Sequence, residues 1–391
     1  MELVLAAVGV LGHLVLLVGT HNYLYGQPFP KWASKLVHLG HLLAFLALPV
    51  GLWLGWGLWL DNLFAWPPTC VTHALVLSYL AVCAVFALIV LPSLTLARAL
   101  HRDAASQRRV EIVHVPCRRS RHWLAALPGN EIYSVAYQSL SIRLPRLPAA
   151  LEGLTILHLT DLHFHGIPDR DYFEALVAHC NQWQPDIIAL TGDVVDSDDH
   201  HRWILPLLGR LQAKLARYAI LGNHDFRHEP ERVRRRLRRI GFQVLNNTTQ
   251  TLFVCNTPLH IIGHEGPWLL PAPDLSTLPP DGLRLCLSHT PDNAEWGLRH
   301  CIDLMLCGHV HGGQIRLPFI GPVFMPSVYG RRFDQGVFAL GEMRLVVSRG
   351  VSGEHPVRYR CRPEVSLLTL QPAEHSRTPH EPLNPQGQFK P

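Results

Sequence analysis

Five short clusters in the second half of this chain hold side chains that can do chemistry together. They are Asp161-Leu162-His163, Gly192-Asp193-Val194-Val195-Asp196, Gly222-Asn223-His224-Asp225, Ser288-His289 and Gly308-His309-Val310-His311-Gly312-Gly313. Carboxylate mixed with imidazole is a donor set that suits divalent manganese, iron, zinc or nickel. An Asp and a His two positions apart project into the same crevice where the backbone turns between them, and one Asp from a separate strand end can bridge two ions. The chemistry such a set implies is a metal-assisted displacement. The chain contains 25 histidines, so a single His motif carries little; the ordered set of five carries the inference. Glycines at 192, 222, 308, 312 and 313 flank the clusters and permit tight turns and close approach.

Each cluster follows a short apolar run that reads as a β-strand. The expected strands are Leu154–Leu159, Ile187–Leu190, Tyr218–Leu221, Leu259–Ile262, Leu283–Leu287 and Leu304–Cys307, with Leu345–Val347 as further β structure. Helical patterns lie between them, over Asp171–Trp183 and Glu231–Ile240. The class is α/β with mixed sheets, and strand ends are where open α/β sheets place their sites.

The front of the chain differs in kind. The sequence has 391 residues, of which 48% are hydrophobic and only 17% charged, and the apolar excess sits at the N-terminal side. Three runs, Leu3–Leu24, Leu36–Leu60 and Thr69–Ala97, contain no Asp, Glu, Lys or Arg. Each exceeds the roughly 20 residues that a membrane-spanning helix needs. Lys31 and Lys35 lie between runs one and two, Asp61 between two and three, and Arg98, Arg102, Arg108, Arg109, Arg118, Arg119 and Arg121 follow the third. The positive-inside rule then puts the N-terminus outside and the rest of the chain in the cytoplasm, as a multi-pass protein of the cell (inner) membrane. The expected organisation is a three-helix transmembrane segment over 1–97, a basic juxtamembrane linker over 98–139, a catalytic domain over 140–371 and a disordered Pro- and Gln-rich tail over 372–391. Nine scattered cysteines with no CxxC pair read as reduced thiols, and a net charge of +5 does not argue for nucleic acid.

The set DLH, GDVVD, GNHD, SH and GHVH resembles the calcineurin-like metallophosphoesterase superfamily over roughly Leu151 to Leu370. Leu144-Pro145, Gly153-Leu154-Thr155-Ile156, the extended GHVHGGQI and Val347-Ser348-Arg349-Gly350 look closest to its membrane-associated bacterial phosphodiesterases, a branch that includes UDP-2,3-diacylglucosamine pyrophosphatase-type enzymes. The resemblance implies a two-sheet β-sandwich flanked by helices. It implies two divalent ions, manganese first, with iron, zinc or nickel as alternatives. Asp161, His163 and His311 would hold one ion, Asn223, His289 and His309 the other, and Asp193 would bridge them. His224 would contact the phosphate and protonate the leaving group, Asp196 would orient His224, and Asp225 would support the motif. Ions so paired lower the pKa of water and supply hydroxide near neutral pH. His165 stands either at the substrate phosphate or as a solvated loop residue.

Two features point to an amphiphilic substrate at a bilayer. Glu231–Ile240 reads ERVRRRLRRI, with Val233, Leu237 and Ile240 on one stripe and arginine elsewhere, a pattern that suits either an anionic membrane surface or an ordinary solvated helix. Trp268-Leu269-Leu270, in a Pro-rich loop, suits an acyl wall or core packing. The leading expectation is hydrolysis of a phosphodiester or pyrophosphate bond in a lipid-linked or nucleotide-sugar substrate, with no obligate protein partner. The alternatives are a nuclease, which the membrane segment disfavours, and a non-catalytic metal-binding sensor or scaffold, which the complete donor set disfavours.

Overall fold

The computed structural model describes residues 2–30, 32–33, 35–47, 50, 71–103, 107–115, 122–318, 321–322 and 324–373. They fall into two compact units, Met1–Leu100 with Phe324–Arg332, and His101–Val323 with Phe333–Pro391.

The first unit is helical. Its elements are α1 (Glu2–Tyr25), α2 (Lys35–Ala47) and α3 (Val71–His101). Among the described residues, one helix is long and apolar enough to cross a membrane, over Ala7–Tyr25. The third apolar run forms α3, and most of the second run beyond Ala47 lies outside the described residues. Small residues let α1 approach α3: a Cβ added at Gly9 would sit 2.7 Å from Leu80 Cδ2. Polar groups cross between helices too, with His13 Nε2 donating to Ala44 O at 3.0 Å and Thr20 Oγ1 bonded to His41 Nε2 at 3.0 Å.

The second unit is built on two sheets. The first contains β1 (Arg108–His114), β2 (Ser134–Leu144), β3 (Thr155–Leu159), β4 (Ile187–Thr191), β5 (Ala216–Ile220) and β6 (Gln243–Val244). The second contains β7 (Thr249–Val254), β8 (Thr257–His264), β9 (Leu283–Ser288) and β10 (Leu304–Cys307). After a small hairpin of β11 (Arg316–Leu317) and β12 (Gly321–Pro322), β13 (Gly336–Leu340) and β14 (Met343–Val347) complete the second sheet, and β15 (Glu364–Pro372) returns to the first. The orders are β1-β2-β15-β3-β4-β5-β6 and β13-β14-β10-β9-β8-β7. Strands β3 to β6 run parallel, as do β8, β9, β10 and β14.

Period-2 alternation explains why both faces of the first sheet are buried. Ile156, Ile187, Ala189 and Ile220 turn toward Ile261, Leu285, Leu287 and Leu306 of the second sheet. Leu157, Leu159, Ile188 and Leu190 turn the other way, onto helices. Those helices are α4 (Arg170–Gln182), α5 (Ile204–Leu208) and α6 (Pro230–Arg239); α7 (Ala294–Arg299) lies later in the chain. Asp169 caps α4 by accepting from Tyr172 N at 3.2 Å, and Tyr172, Phe173, Leu176, Val177 and Cys180 form its buried stripe. The seven cysteines among the described residues are free thiols.

Two expectations need correction. The stretch read as a linker over 98–139 contains the end of α3, all of β1 and the start of β2, so sheet structure begins well before residue 140. Arg108 and Arg109 open an edge strand that continues as Val110-Glu111-Ile112-Val113, a strand that basic composition hid. The second concerns α6. Arg234 is not on a solvated face: it is 3% exposed and bonds Glu265 Oε2 at 2.5 Å, Glu231 Oε1 at 2.8 Å and Asn246 Oδ1 at 3.1 Å. Arg235, Arg238 and Arg239 are the exposed ones. The residues from 374 on, where the tail was expected, lie outside the described ones.

The Arg234–Glu265 pair fixes α6 to the strand that leads into Gly222-Asn223-His224, because Glu265 Oε1 also accepts from Leu221 N at 2.8 Å. Removing one partner of a buried pair strands the other charge. Arg234→Ala is therefore expected to destabilise the protein by roughly 3–5 kcal/mol, whereas Arg235→Ala stays within about 0.5 kcal/mol. Chemical denaturation of both variants checks this; equal stabilities would show that the pair contributes nothing beyond a surface arginine.

Candidate metal centre

All five clusters sit just beyond the C-terminal ends of parallel strands. Asp161 follows β3, Asp193 follows β4, Asn223 and His224 follow β5, His289 follows β9 and His309 follows β10. The first three come from one sheet and the last two from the other, so the side chains meet where the two sheets end together. His289 Nε2 lies 3.1 Å from Asp193 Oδ2, across that junction.

Three groups of donors converge. Asp161, His163 and His311 form one, Asp193, His289 and His309 a second, and His163, Asp193 and His224 a third. In the first, His163 Nε2 lies 3.7 Å from Asp161 Oδ1 and 3.2 Å from His311 Nε2, and His311 Nε2 lies 3.5 Å from Asp161 Oδ1. Asp193 Oδ2 is shared, at 3.7 Å from His163 Nε2 as well as 3.1 Å from His289 Nε2. Separations of this order are those of ligand atoms around ions held at about 2.0–2.2 Å.

Orientation is set by partners outside the donor groups. His289 Nδ1 donates to Thr191 O at 2.7 Å, which turns Nε2 toward Asp193. His163 Nδ1 donates to Asp196 Oδ2 at 2.8 Å and turns its Nε2 inward the same way. The other oxygen of Asp196 accepts from His224 Nδ1, so one carboxylate orients both rings. Metal-binding histidines are held in this manner by carbonyls and carboxylates. Asp225, wholly buried, accepts from the amides of Val194 at 2.9 Å, Val195 at 3.0 Å and Gly222 at 3.0 Å, and so ties two loops together. Arg358, also wholly buried, donates to the carbonyls of His311 at 3.1 Å, Arg349 at 2.8 Å and Ser352.

The backbone is strained where the chemistry is. Asp161, His163, Asp193, His309 and His311 all have φ between 45° and 67°, in the left-handed region that L-residues other than Gly, Asn and Asp seldom occupy. Neighbouring glycines make room. A Cβ at Gly222 would lie 2.7 Å from His289 Cε1, and one at Gly308 would collide with the Asp161 carboxylate.

The electrostatics favour cations. Burial alone would raise Asp161 and Asp193, but His311 and His289 respectively, with other imidazoles nearby, hold them well below the usual carboxylate range. Burial likewise opposes charge on His289, yet the Asp193 carboxylate raises it to about 9, and Asp196 raises His163 against its burial. Burial, then His289, lowers His309 to about 3, and burial lowers His311 despite Asp161. His309 and His311 are thus neutral beside ionised carboxylates, the forms that ligate metal, and a cation would have to displace the proton that Asp193 and Asp196 hold on His289 and His163. Three buried atoms at the centre, Asp193 Oδ2, Asn223 Oδ1 and His289 Nε2, have no hydrogen-bond partner. Divalent cations would satisfy all three, so the donors present fit the ions that the fold class implies.

Every residue expected at the site is in this region. Sequence reasoning missed the dual role of Asp196, the Arg358 clamp and the position of Trp268. The Trp268 ring stands 4.9 Å from His309 and 5.6 Å from His289, with Leu270 73% exposed on the same loop. His165 is neither fully solvated nor free: its Nε2 donates to Gly353 O at 3.0 Å.

Comparison with known proteins agrees with this geometry. The family model for calcineurin-like phosphoesterases matches residues 154–313. A phosphodiesterase of Escherichia coli, YaeI, is 33% identical over 55% of this chain and 81% of its own length. A transmembrane protein with metallophosphoesterase domain from Danio rerio is 25% identical over 60% of this chain and 57% of its own length. The UDP-2,3-diacylglucosamine pyrophosphatase LpxG of Chlamydia muridarum is 24% identical over 59% of this chain and 87% of its own length. The chain belongs to the calcineurin-like metallophosphoesterases. It is a hydrolase, and its catalytic fold is the mixed α/β unit described above.

Proposed function

We propose that this protein is a membrane-anchored phosphodiesterase or pyrophosphatase that uses two divalent cations, manganese first among them, on an amphiphilic substrate. The observation that carries the reading is Asp193 Oδ2: buried, without a hydrogen-bond partner, common to two donor groups and 4.0 Å from His224 Nε2. Asp161, His163 and His311 would hold one ion, Asn223, His289 and His309 the other, and Asp193 would be the donor shared by both. Such a pair supplies charge stabilisation for a phosphoryl group and hydroxide near neutral pH. Asp196 holds His224 by Nδ1, which leaves Nε2 facing the centre as the atom that passes a proton to the leaving oxygen.

The Trp268 ring stands against His289 and His309, and Leu270 is exposed on the same loop, so the two offer apolar surface for a chain beside the metal centre. If they receive an acyl chain, Trp268→Ala raises KM for a diacyl pyrophosphate substrate by roughly 10-fold or more, the order expected for losing the apolar contact of a large, half-buried aromatic side chain. Leu270→Ser acts in the same direction from the exposed tip. Both leave kcat on a small soluble diester nearly unchanged. Steady-state kinetics on both substrates with Mn²⁺ decides it: equal losses on the two would mean that these residues support the metal site and bind no chain.

The anchor rests on the apolar runs, the α1 helix and the transmembrane name of one relative. We read three spans over 1–97, with the N-terminus outside and the catalytic unit in the cytoplasm, from the arginines after the third run. A reporter fused after Arg121 is expected to report the cytoplasm, and one inserted at Asp61 the outside. A periplasmic signal from the Arg121 fusion would overturn the orientation.

A further inference from the structure

A second polar cavity lies next to the metal centre, beyond the turn at 311–313. Its volume is about 70 Å³, and it opens between the β1–β2 edge of one sheet and the β13–β14 edge of the other. The polar residues that matter in its wall are Arg102, Asp103, Arg108, Gln335, Arg349 and Glu364. Gly312 keeps the turn thin there: an added Cβ would lie 2.9 Å from Arg349 Cγ and 3.0 Å from Gln335 Oε1. One buried water needs about 10–15 Å³, so the space exceeds a single water several-fold.

The charges in the wall do not balance. Asp103 is engaged by Arg344 at 3.3 Å, and Glu364 by Arg349 Nε at 2.5 Å and Arg349 N at 3.0 Å. Arg102 and Arg108, on the exposed rim, have no carboxylate within ion-pair distance among the described residues. Arg349 itself is 9% exposed, and its Nη2 is buried with no hydrogen-bond partner. Gln335 Oε1 is buried in the same state. A buried donor left unmade costs more than a made bond gains. Water could meet the hydrogen-bonding need, but it would leave the excess positive charge of the wall to solvent and, for Arg108, to the already paired Glu364. A tetrahedral oxyanion meets both: its oxygens accept from Arg349 and the rim arginines, and one hydroxyl donates to Gln335.

We propose that this cavity is a phosphate-binding site separate from the metal centre, filled by the phosphate of an anionic lipid headgroup or by inorganic phosphate. Arg102 directly follows the last residue of α3, so the lipid source rests on the membrane-anchor reading above, while the phosphate chemistry does not. The cavity bears on the centre through the chain: Arg349 precedes Gly350, where an added Cβ would fall 2.5 Å from Asp161 Cβ.

The test uses the full chain in phosphatidylcholine nanodiscs, treated with EDTA so that no cation draws phosphate to the metal centre, and titrated with radiolabelled inorganic phosphate. A single saturable phase is expected. Arg102→Gln combined with Arg108→Gln should weaken it about 10-fold or more, since each removes a charge-assisted donor, and Arg108→Lys should largely keep it. Thermal unfolding equal to the parent's shows that the variants are folded. The titration is then repeated in discs containing phosphatidylglycerol. Loss of labelled phosphate binding there, with phosphatidylglycerol retained by the parent but not the double variant, identifies the lipid headgroup; unchanged binding identifies free phosphate. No saturable binding and no lipid retention, or equal behaviour of parent and double variant, means that the cavity holds water alone and overturns the site.

Discussion

Asp193→Asn is expected to remove both cations, not one. The carboxylate is buried, its Oδ2 lies among His163, His289 and His224, and its Oδ1 accepts from His224 N at 2.8 Å. An amide keeps the size and the second of these bonds. It also takes away the negative charge and turns a donor N–H₂ toward His289 or His163. Loss of a residue that merely orients a ligand costs about 10–100-fold in metal affinity, and loss of a shared ligand should cost at least that at each site. Activity should fall to background with it. Asp161→Asn is the control, because Asp161 belongs to one donor group only, with His163 and His311. Metal analysis after dialysis against graded chelator separates the two variants. If Asp193→Asn sheds one ion and holds the other with parental affinity, Asp193 is an ordinary ligand of one site and the bridging assignment is wrong.

The contrast between these two aspartates was half legible in the sequence. Polar clusters after apolar runs place the site, because a run such as Ile187–Thr191 has only one way to bury itself in a parallel sheet and must then turn. The expected strands match the observed ones to within about two residues for this reason. What the sequence could not show is conformational or long-range. Five of the site residues adopt left-handed backbone, and none is a glycine that would have marked the position. Strand β15, near the end of the described chain, inserts between β2 and β3, a pairing that no local pattern encodes. Arg234 looks like its neighbours in a run of arginines; only the fold brings Glu265 to it. Trp268 similarly reads as a loop residue until β8 and β10 place its ring against His309. The first and third apolar stretches are legible as α1 and α3, while residues 48–49 and 51–60 of the second lie outside the described residues.

His224→Ala should separate binding from turnover. Its ring sits over the centre, edge-on to His163 at 4.8 Å between centroids, with Nδ1 given to Asp196 and Nε2 directed at the shared side of Asp193. Neither proposed ligand set includes it, so the variant should keep both ions. It should lose about 10²–10⁴ in kcat, the usual contribution of a positioned general acid. The loss should scale with the leaving group: near the upper end for an alkyl or sugar phosphate oxygen, and small for a nitrophenolate, which departs without a proton. Asp196→Asn provides the complementary case. Its carboxylate holds both His224 and His163, so that variant should lose turnover and about 10–100-fold in affinity for the ion at His163 together. The alternative is that His224 is itself a ligand, since it falls within one of the three donor groups. Metal content measured alongside kcat distinguishes the two. Loss of an ion from His224→Ala, with activity restored by excess Mn²⁺ on every leaving group alike, makes His224 a ligand; retained ions with a loss that deepens as the leaving group worsens make it the proton donor.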